Sequence, residues 1–395
     1  AEVTANDFIQ AWQTAILPST AAPYRQLFDN LMDGDVLQVS SQHKHQLSIT
    51  LNQANASFLS QLVLPIFYPK PQHSDDLKVS NGAFFLQQWD IQERITLIKN
   101  PYFHAADEVQ AAQINYWVTE NQNSELLRFR AGELDITETI PDSQINWLRE
   151  HMATELRIAP YYGTFFLGLN LNHKQLSNRY LRQALSAAID RNILVDKVLK
   201  SGQLPATHII PTEQAVKADG AVDLAEAKRL LQMSPFNTRT DKLEILYNSS
   251  NNQKMVALAV AAMWRQNLGI KTQLKNQEWK VFVNSRRGDN KQVFRSGWIA
   301  DYHDPLNFLE LFHSHSHFNF YAFEHSGYDH VIEQLRASHQ ADEQAKLIQQ
   351  AEQILAEQLP VIPLYHYVSR HLVKQDIQGF YDNLMDRHLS RYLSR

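Results

Sequence analysis

Apolar positions recur every three to four residues over the first part of the chain and then switch to strict alternation. Phe8, Ile9, Trp12 and Ile16 share one face, with Thr4 in capping position, so residues 4–16 are expected to form an amphipathic helix. Residues 47–51 alternate and read as a strand. Residues 58–67 read as an apolar helix running into the loop Tyr68-Pro-Lys-Pro71. Strands are expected over 83–89, 94–99, 113–119 and 134–137, with a helix over 123–131 that Gly132 ends. From residue 161 the pattern changes. An aromatic-rich buried strand, 161–170, is followed by helices at 178–189, 192–200, 223–232, 254–267, 327–338 and 341–357. Short apolar strands at 243–247, 270–274, 293–297 and 361–367 alternate with them. Alternating helix and short apolar strand is the pattern of an α/β sheet, whereas the first third reads as α+β.

Composition narrows the function classes. The chain has 395 residues, 44% hydrophobic and 20% charged, enough for two or three lobes. Net charge is −5 and basic residues are dispersed, so no nucleic-acid footprint is expected. There is no apolar run long enough to span a bilayer and no signal peptide. A chain beginning Ala-Glu-Val is expected to have been processed or cut. The absence of Cys rules out disulfides and thiolate chemistry and is compatible with an oxidising compartment.

The densest chemistry lies in residues 295–305, Arg-Ser-Gly-Trp-Ile-Ala-Asp-Tyr-His-Asp-Pro. Asp304 followed by Pro305 reads as a helix start, which gives Asp304 a structural task and leaves Asp301 without one. A carboxylate beside Trp298 and Tyr302 suits a cationic group held against aromatic walls. Pairing with Arg295, or capping a turn, is the competing reading for Asp301. Gly297 permits close backbone approach, and a simple bulge is its alternative. Arg286 and Arg295 offer planar forks for a carboxylate, and an internal ion pair is the alternative. Tyr365 and Tyr367 share one strand face and His366 points the other way.

This run is similar to the Gly-Trp-x-Ala-Asp-Tyr-x-x-Pro signature of the oligopeptide-binding proteins of bacterial ABC importers. Further matches follow in the family's order: Val3-Thr-Ala-Asn-Asp7 with Trp12, Asn81-Gly-Ala-Phe84, Lys99-Asn-Pro-Tyr-Phe103, Arg130-Ala-Gly-Glu-Leu-Asp135, Arg182-Gln-Ala-Leu185, Ala188-Ile-Asp-Arg191, Asn276-Gln-Glu-Trp279 and Val361-Ile-Pro-Leu-Tyr365. The resemblance implies an α/β, periplasmic-binding-protein-like two-lobed (Venus flytrap) fold of the large peptide-binding class. Residues 1–75 would be a remnant of an accessory lobe. Residues 76–162 plus 368–395 would form the first ligand-closing lobe, and 163–367 the second. The crossings would lie near 161–163 and 367–369, allowing closure over a ligand. Family members carry a further segment ahead of the Val-Thr-Ala helix, so the first lobe is expected to be incomplete on its N-terminal side.

The resemblance also assigns roles. Asp301 would neutralise a peptide ammonium, and the Gly297–Trp298–Ile299 edge would hold the peptide backbone as an added strand. Arg286 or Arg295 would balance the C-terminus. Trp279, Trp298, Tyr24, Tyr161, Tyr365 and Tyr367 match pocket-facing aromatics, with core packing as the alternative for the strand tyrosines. Glu138 and Thr139 lie where the pocket would continue. Gln253, in the loop before the 254–267 helix, stands where a His is common. The partners implied are short peptides and an inner-membrane ABC permease. The protein is expected to be a periplasmic monomer that needs no cofactor. The alternatives are a murein peptide as cargo, or the sensing domain of a regulator.

Other signals carry less. His313, His315 and His317 alternate in a segment expected to be a solvated loop without metal. Asp107-Glu108 reads as a solvated turn and Asp190-Arg191 as a helix-terminal ion pair. No HExxH, Walker A, GxGxxG or GxSxG occurs, so no catalytic machinery is expected.

Overall fold

The computed structural model describes residues 2–71, 78–211 and 222–395. The chain divides into two compact units. Ala1–Arg157 with Arg370–Arg395 form one, and Ile158–Ser369 form the other. The chain therefore passes between them at 157/158 and 369/370, beside the expected crossings.

In the first unit the start of the helix Ala5–Ile16 is fixed by Asp7: the Thr4 amide donates to Asp7 Oδ2 at 2.7 Å, and the Thr4 hydroxyl donates to the same oxygen at 2.8 Å. Trp12 is buried between Phe28 and Phe67 and its indole N–H donates to the Phe67 carbonyl at 2.9 Å. The expected helix over 58–67 is broken into a single turn, Phe58–Gln61, and a 3-10 turn, Pro65–Phe67. Pro65 is the cause: the residue before a proline is pushed to extended geometry, and Leu64 sits at ψ 142. The strands Phe84–Asp90, Arg94–Lys99 and Gln113–Trp117 form an antiparallel meander. The helix Gln122–Arg130 ends at Gly132, whose φ of +82 suits only glycine without strain. The strand expected over 134–137 is reduced to one bridge, Ile136 to Val373.

The second unit is built on a mixed sheet. Among the described residues its order is Lys271–Gln277, Lys242–Asn248, Val293–Ile299, Leu156–Leu169, Val361–Leu372 and Leu204–Pro205. The first pair is parallel, whereas Val293–Ile299 runs antiparallel to Leu156–Leu169. Helices Arg179–Ala187, Leu224–Gln232 and Asn251–Leu268 contribute Leu181, Leu185, Leu230, Val260 and Trp264 to a core shared with Phe165, Ile245, Val293 and Ile362. Burial of these side chains contributes roughly 1.5–3 kcal/mol each. The helix expected over 192–200 is a short α-turn, Arg191–Ile193, followed by a π-helical turn, Leu194–Leu199, which closes on left-handed Lys200. Asp190 and Arg191 do not pair: Asp190 caps the Ile193 amide at 2.8 Å, and Arg191 donates to carbonyls. No helix of the described residues is long and apolar enough to cross a membrane.

Candidate functional site

The strand Val293–Ile299 is paired along its whole length on one side, from Val293 opposite Leu169 to Ile299 opposite Gly163. On its other side it pairs with Lys242–Asn248 only at Val293 and Phe294. Residues 295–299 thus present backbone that no strand among the described residues pairs on that side. Such an edge offers main-chain donors and acceptors to an added strand of any sequence.

Gly297 is required by the fold beneath that edge. A Cβ there would meet the Tyr367 hydroxyl at 2.7 Å and the Thr164 carbonyl at 3.2 Å. Gly163 is as tight, since a Cβ would lie 2.8 Å from both Ile299 and Tyr367. The missing side chains let Tyr367 pack under the strand. Ile299, at the strand end, is 41% exposed.

Trp298 lies on the opposite face from Gly297. Its indole N–H donates to Asn307 Oδ1 at 2.6 Å and its ring meets Phe318 edge-on at 5.0 Å. The same Asn307 oxygen accepts the Asp301 amide at 3.3 Å. Asn307 is therefore the residue that ties the indole to the turn carrying Asp301, and the sequence reading missed it. Its only signal was an amide at a buried position in the apolar run Leu306–Leu309. Asp304 performs the expected capping, accepting the Leu306 amide at 2.8 Å, although the helix it starts is one turn long.

Arg295 and Arg286 approach from the side-chain layer. The Arg295 guanidinium lies 5.6 Å from the Phe165 ring and 5.9 Å from the Trp279 ring, and the Arg286 guanidinium lies 4.6 Å from Phe320. The two cations repel: Arg295 adds to the burial that lowers the Arg286 pKa. The buried Nε of each has no hydrogen-bond partner, and neither forms a salt bridge within the described residues. The expected alternative of an internal ion pair for Arg295 is thus not seen. Two desolvated guanidiniums side by side, stacked on rings rather than paired with carboxylates, form a local anion-accepting region.

The aromatics divide into surface and core. Trp279 begins the helix Trp279–Arg287, stacks on Phe282 and is 49% exposed. Trp298 and Tyr161 are half-buried. Tyr365 lies in the core, parallel to Phe165 at 4.8 Å, and burial drives its hydroxyl pKa well up. Tyr367 is perpendicular to it at 5.7 Å; burial raises its pKa, and the neighbouring Arg295 opposes that rise. His366 points away from both and its Nδ1 meets the Thr164 hydroxyl at 2.8 Å. Burial, helped by His208, pushes its pKa down to about 3. Tyr24 belongs to the first unit, where it is 37% exposed at φ +62. Gln253 is not in a loop: Ser250 takes the cap position, so the helix Asn251–Leu268 already contains Gln253 in its first turn. Its Oε1 is buried without a partner. His313 also departs from expectation. It is buried, its Nε2 is 4.0 Å from Asp329, and burial lowers its pKa, while His315 and His317 are exposed.

Residues 1–320 match the family model described as bacterial extracellular solute-binding proteins, family 5. The chain is 29% identical to the periplasmic murein peptide-binding protein MppA of Escherichia coli, over 96% of this chain and 76% of that protein. The solved structure of that E. coli protein matches with a TM-score of 0.81 at 28% identity, covering 100% of this chain and 84% of the other. Identity to the periplasmic oligopeptide-binding protein OppA of Salmonella typhimurium is 31%, over 96% of this chain and 76% of that one. The Haemophilus influenzae OppA complex with RPPGFSPFR matches with a TM-score of 0.79 at 30% identity, over 99% and 84%.

The chain belongs to the family 5 bacterial extracellular solute-binding proteins. It is a periplasmic binding receptor rather than an enzyme, with the α/β fold of that family.

Proposed function

We propose that this protein captures short peptides in the periplasm and delivers them, as a monomer, to an inner-membrane ABC permease. The observation that carries this reading is the half-paired strand: residues 295–299 keep one backbone edge that no strand among the described residues pairs, directly before Asp301. An extended peptide docks there through its main chain, which every peptide shares. Asp301 takes the peptide ammonium; a charge-assisted bond of this kind contributes roughly 1.5–3 kcal/mol. Arg295 and Arg286 offset the C-terminal carboxylate. Trp279, Trp298, Ile299 and Tyr161 wall the side-chain space, with Gln253 at its margin. Tyr365 and Tyr367 support the strand from beneath.

The similarity to oligopeptide-binding and murein peptide-binding proteins supports a peptide cargo. A murein peptide is the second candidate, favoured by the match to E. coli MppA along the whole chain. Isothermal titration with an unblocked tripeptide tests the proposal. One peptide per chain with micromolar or tighter affinity is expected. No binding across a mixed tripeptide and tetrapeptide set, together with no peptide released on denaturation of the purified protein, contradicts it.

A further inference from the structure

The C-terminal part of the first unit holds a cluster that peptide capture does not use. His371 is buried, and its Nε2 lies 2.8 Å from Asp386 Oδ1. His388 Nε2 lies 3.0 Å from that same oxygen. The three donor atoms all fall within 4.8 Å of one another.

The proton arrangement of the cluster is the informative part. His371 Nδ1 is 2.9 Å from the Thr137 carbonyl, which only accepts. Nδ1 therefore carries a hydrogen, and the neutral ring leaves its Nε2 lone pair facing a carboxylate oxygen. Two acceptors at that distance need a cation between them, either a proton or a metal ion. His388 faces the same oxygen while its Nδ1 is buried without a partner and its ring stacks on Phe380 at 3.7 Å.

The donors are held in place before any ion arrives. Thr137 exchanges two hydrogen bonds with Leu372, the amide of each serving as donor, at 3.0 and 2.8 Å. Asp386 adopts φ +51, an uncommon geometry for a residue with a side chain, in a turn that Asn383 locks through both the amide and the carbonyl of Arg387 at 3.1 Å. An imidazole whose far nitrogen donates to a carbonyl is the usual support for a metal-binding histidine.

We propose that His371, Asp386 and His388 form a binding site for a divalent borderline cation of the zinc class, which fastens the 380–388 segment to the strand end at His371. Two imidazole nitrogens and one carboxylate oxygen are a donor set zinc accepts, at about 2.0–2.2 Å. The present spacings of 2.8 and 3.0 Å need to open only to about 3.3 Å to give tetrahedral edges around such an ion.

The test is zinc titration of the chelator-stripped full chain against a chromophoric competitor. One zinc per chain is expected, weakened about tenfold or more in D386N and in H388Q and unchanged in H315Q. No uptake, or uptake that survives D386N and H388Q but disappears in H315Q, overturns the site. Should the variants fold poorly, zinc-edge anomalous diffraction from the wild-type protein decides: a peak among these three side chains supports the proposal, and a peak elsewhere or none refutes it.

Discussion

Two pairs of arginines in the second unit live in opposite conditions. Arg182 donates to the carbonyls of Gln358, Leu359, Leu176 and Ser177, and Arg191 to those of Pro363, Ser186 and Ile189 and to the Ser186 hydroxyl. Each guanidinium is consumed by backbone that would otherwise be buried without donors, and burial lowers both pKa values to about 10. Arg286 and Arg295 lie on aromatic rings, the Nε of each is buried without a partner, and neither is consumed by backbone carbonyls as the first pair is, although Arg295 also meets the Tyr367 hydroxyl. The first pair pins helices to strands. The second leaves a buried Nε on each guanidinium that no protein group satisfies. Residue type is the same in all four, so the number of satisfied donors separates a structural arginine from a binding one.

The contrast predicts opposite phenotypes. R182M or R191M strands several carbonyls and should lose about 3 kcal/mol of stability or more, read as a lowered denaturant midpoint. R286Q or R295Q should shift that midpoint by about 0.5 kcal/mol or less, yet weaken a tripeptide with a free C-terminus about tenfold and its C-amide hardly at all. Equal destabilisation by all four substitutions would erase the distinction.

Glu352 sharpens the point, because its Oε1 is also buried without a partner. A carboxyl can shed its charge where a guanidinium cannot, and burial pushes Glu352 up to about 7. The folded state therefore holds a proton that the unfolded chain releases between the ordinary value of 4.5 and about 7. That contribution to stability is complete below pH 4.5 and is lost as pH rises through 7, by roughly 3 kcal/mol. E352Q should flatten the difference between unfolding midpoints at pH 5 and pH 7.5. An unchanged difference would show that the orphaned oxygen is paired in solution.

A smaller effect falls on Asn307. N307A removes the acceptor shared by Trp298 and Asp301 and should cost about 1 kcal/mol of peptide affinity, roughly fivefold, with the C-terminal preference intact. Loss of that preference as well would mean the arginine region depends on the same anchor.

The site was legible in the sequence where its chemistry is local. Residues 295–305 concentrate strand, turn and cap within one run, so alternation and capping rules reach them. The half-open edge at 295–299 was not legible, because it depends on where the Lys242–Asn248 pairing stops. Asn307 was hidden by its apolar neighbours. The meeting of His371 with Thr137 joins positions far apart in sequence, brought together by the bridge from Ile136 to Val373 and the paired Thr137–Leu372 bonds, and Asp386 reaches the same ring from the following turn. In the first unit, apolar periodicity over 58–67 predicts one helix, yet Pro65 forces Leu64 extended and divides it. Helix periodicity alone could not distinguish the π-helical turn Leu194–Leu199 from an ordinary one.

The most direct measurement is a double-mutant cycle between D301N and N-acetylation of one tripeptide, read by isothermal titration. Acetylation should weaken binding to the wild-type protein by about 10–100-fold and leave binding to D301N almost unaffected, because both changes remove the same charge pair. Equal losses on acetylation in the two proteins would contradict an ammonium held by Asp301.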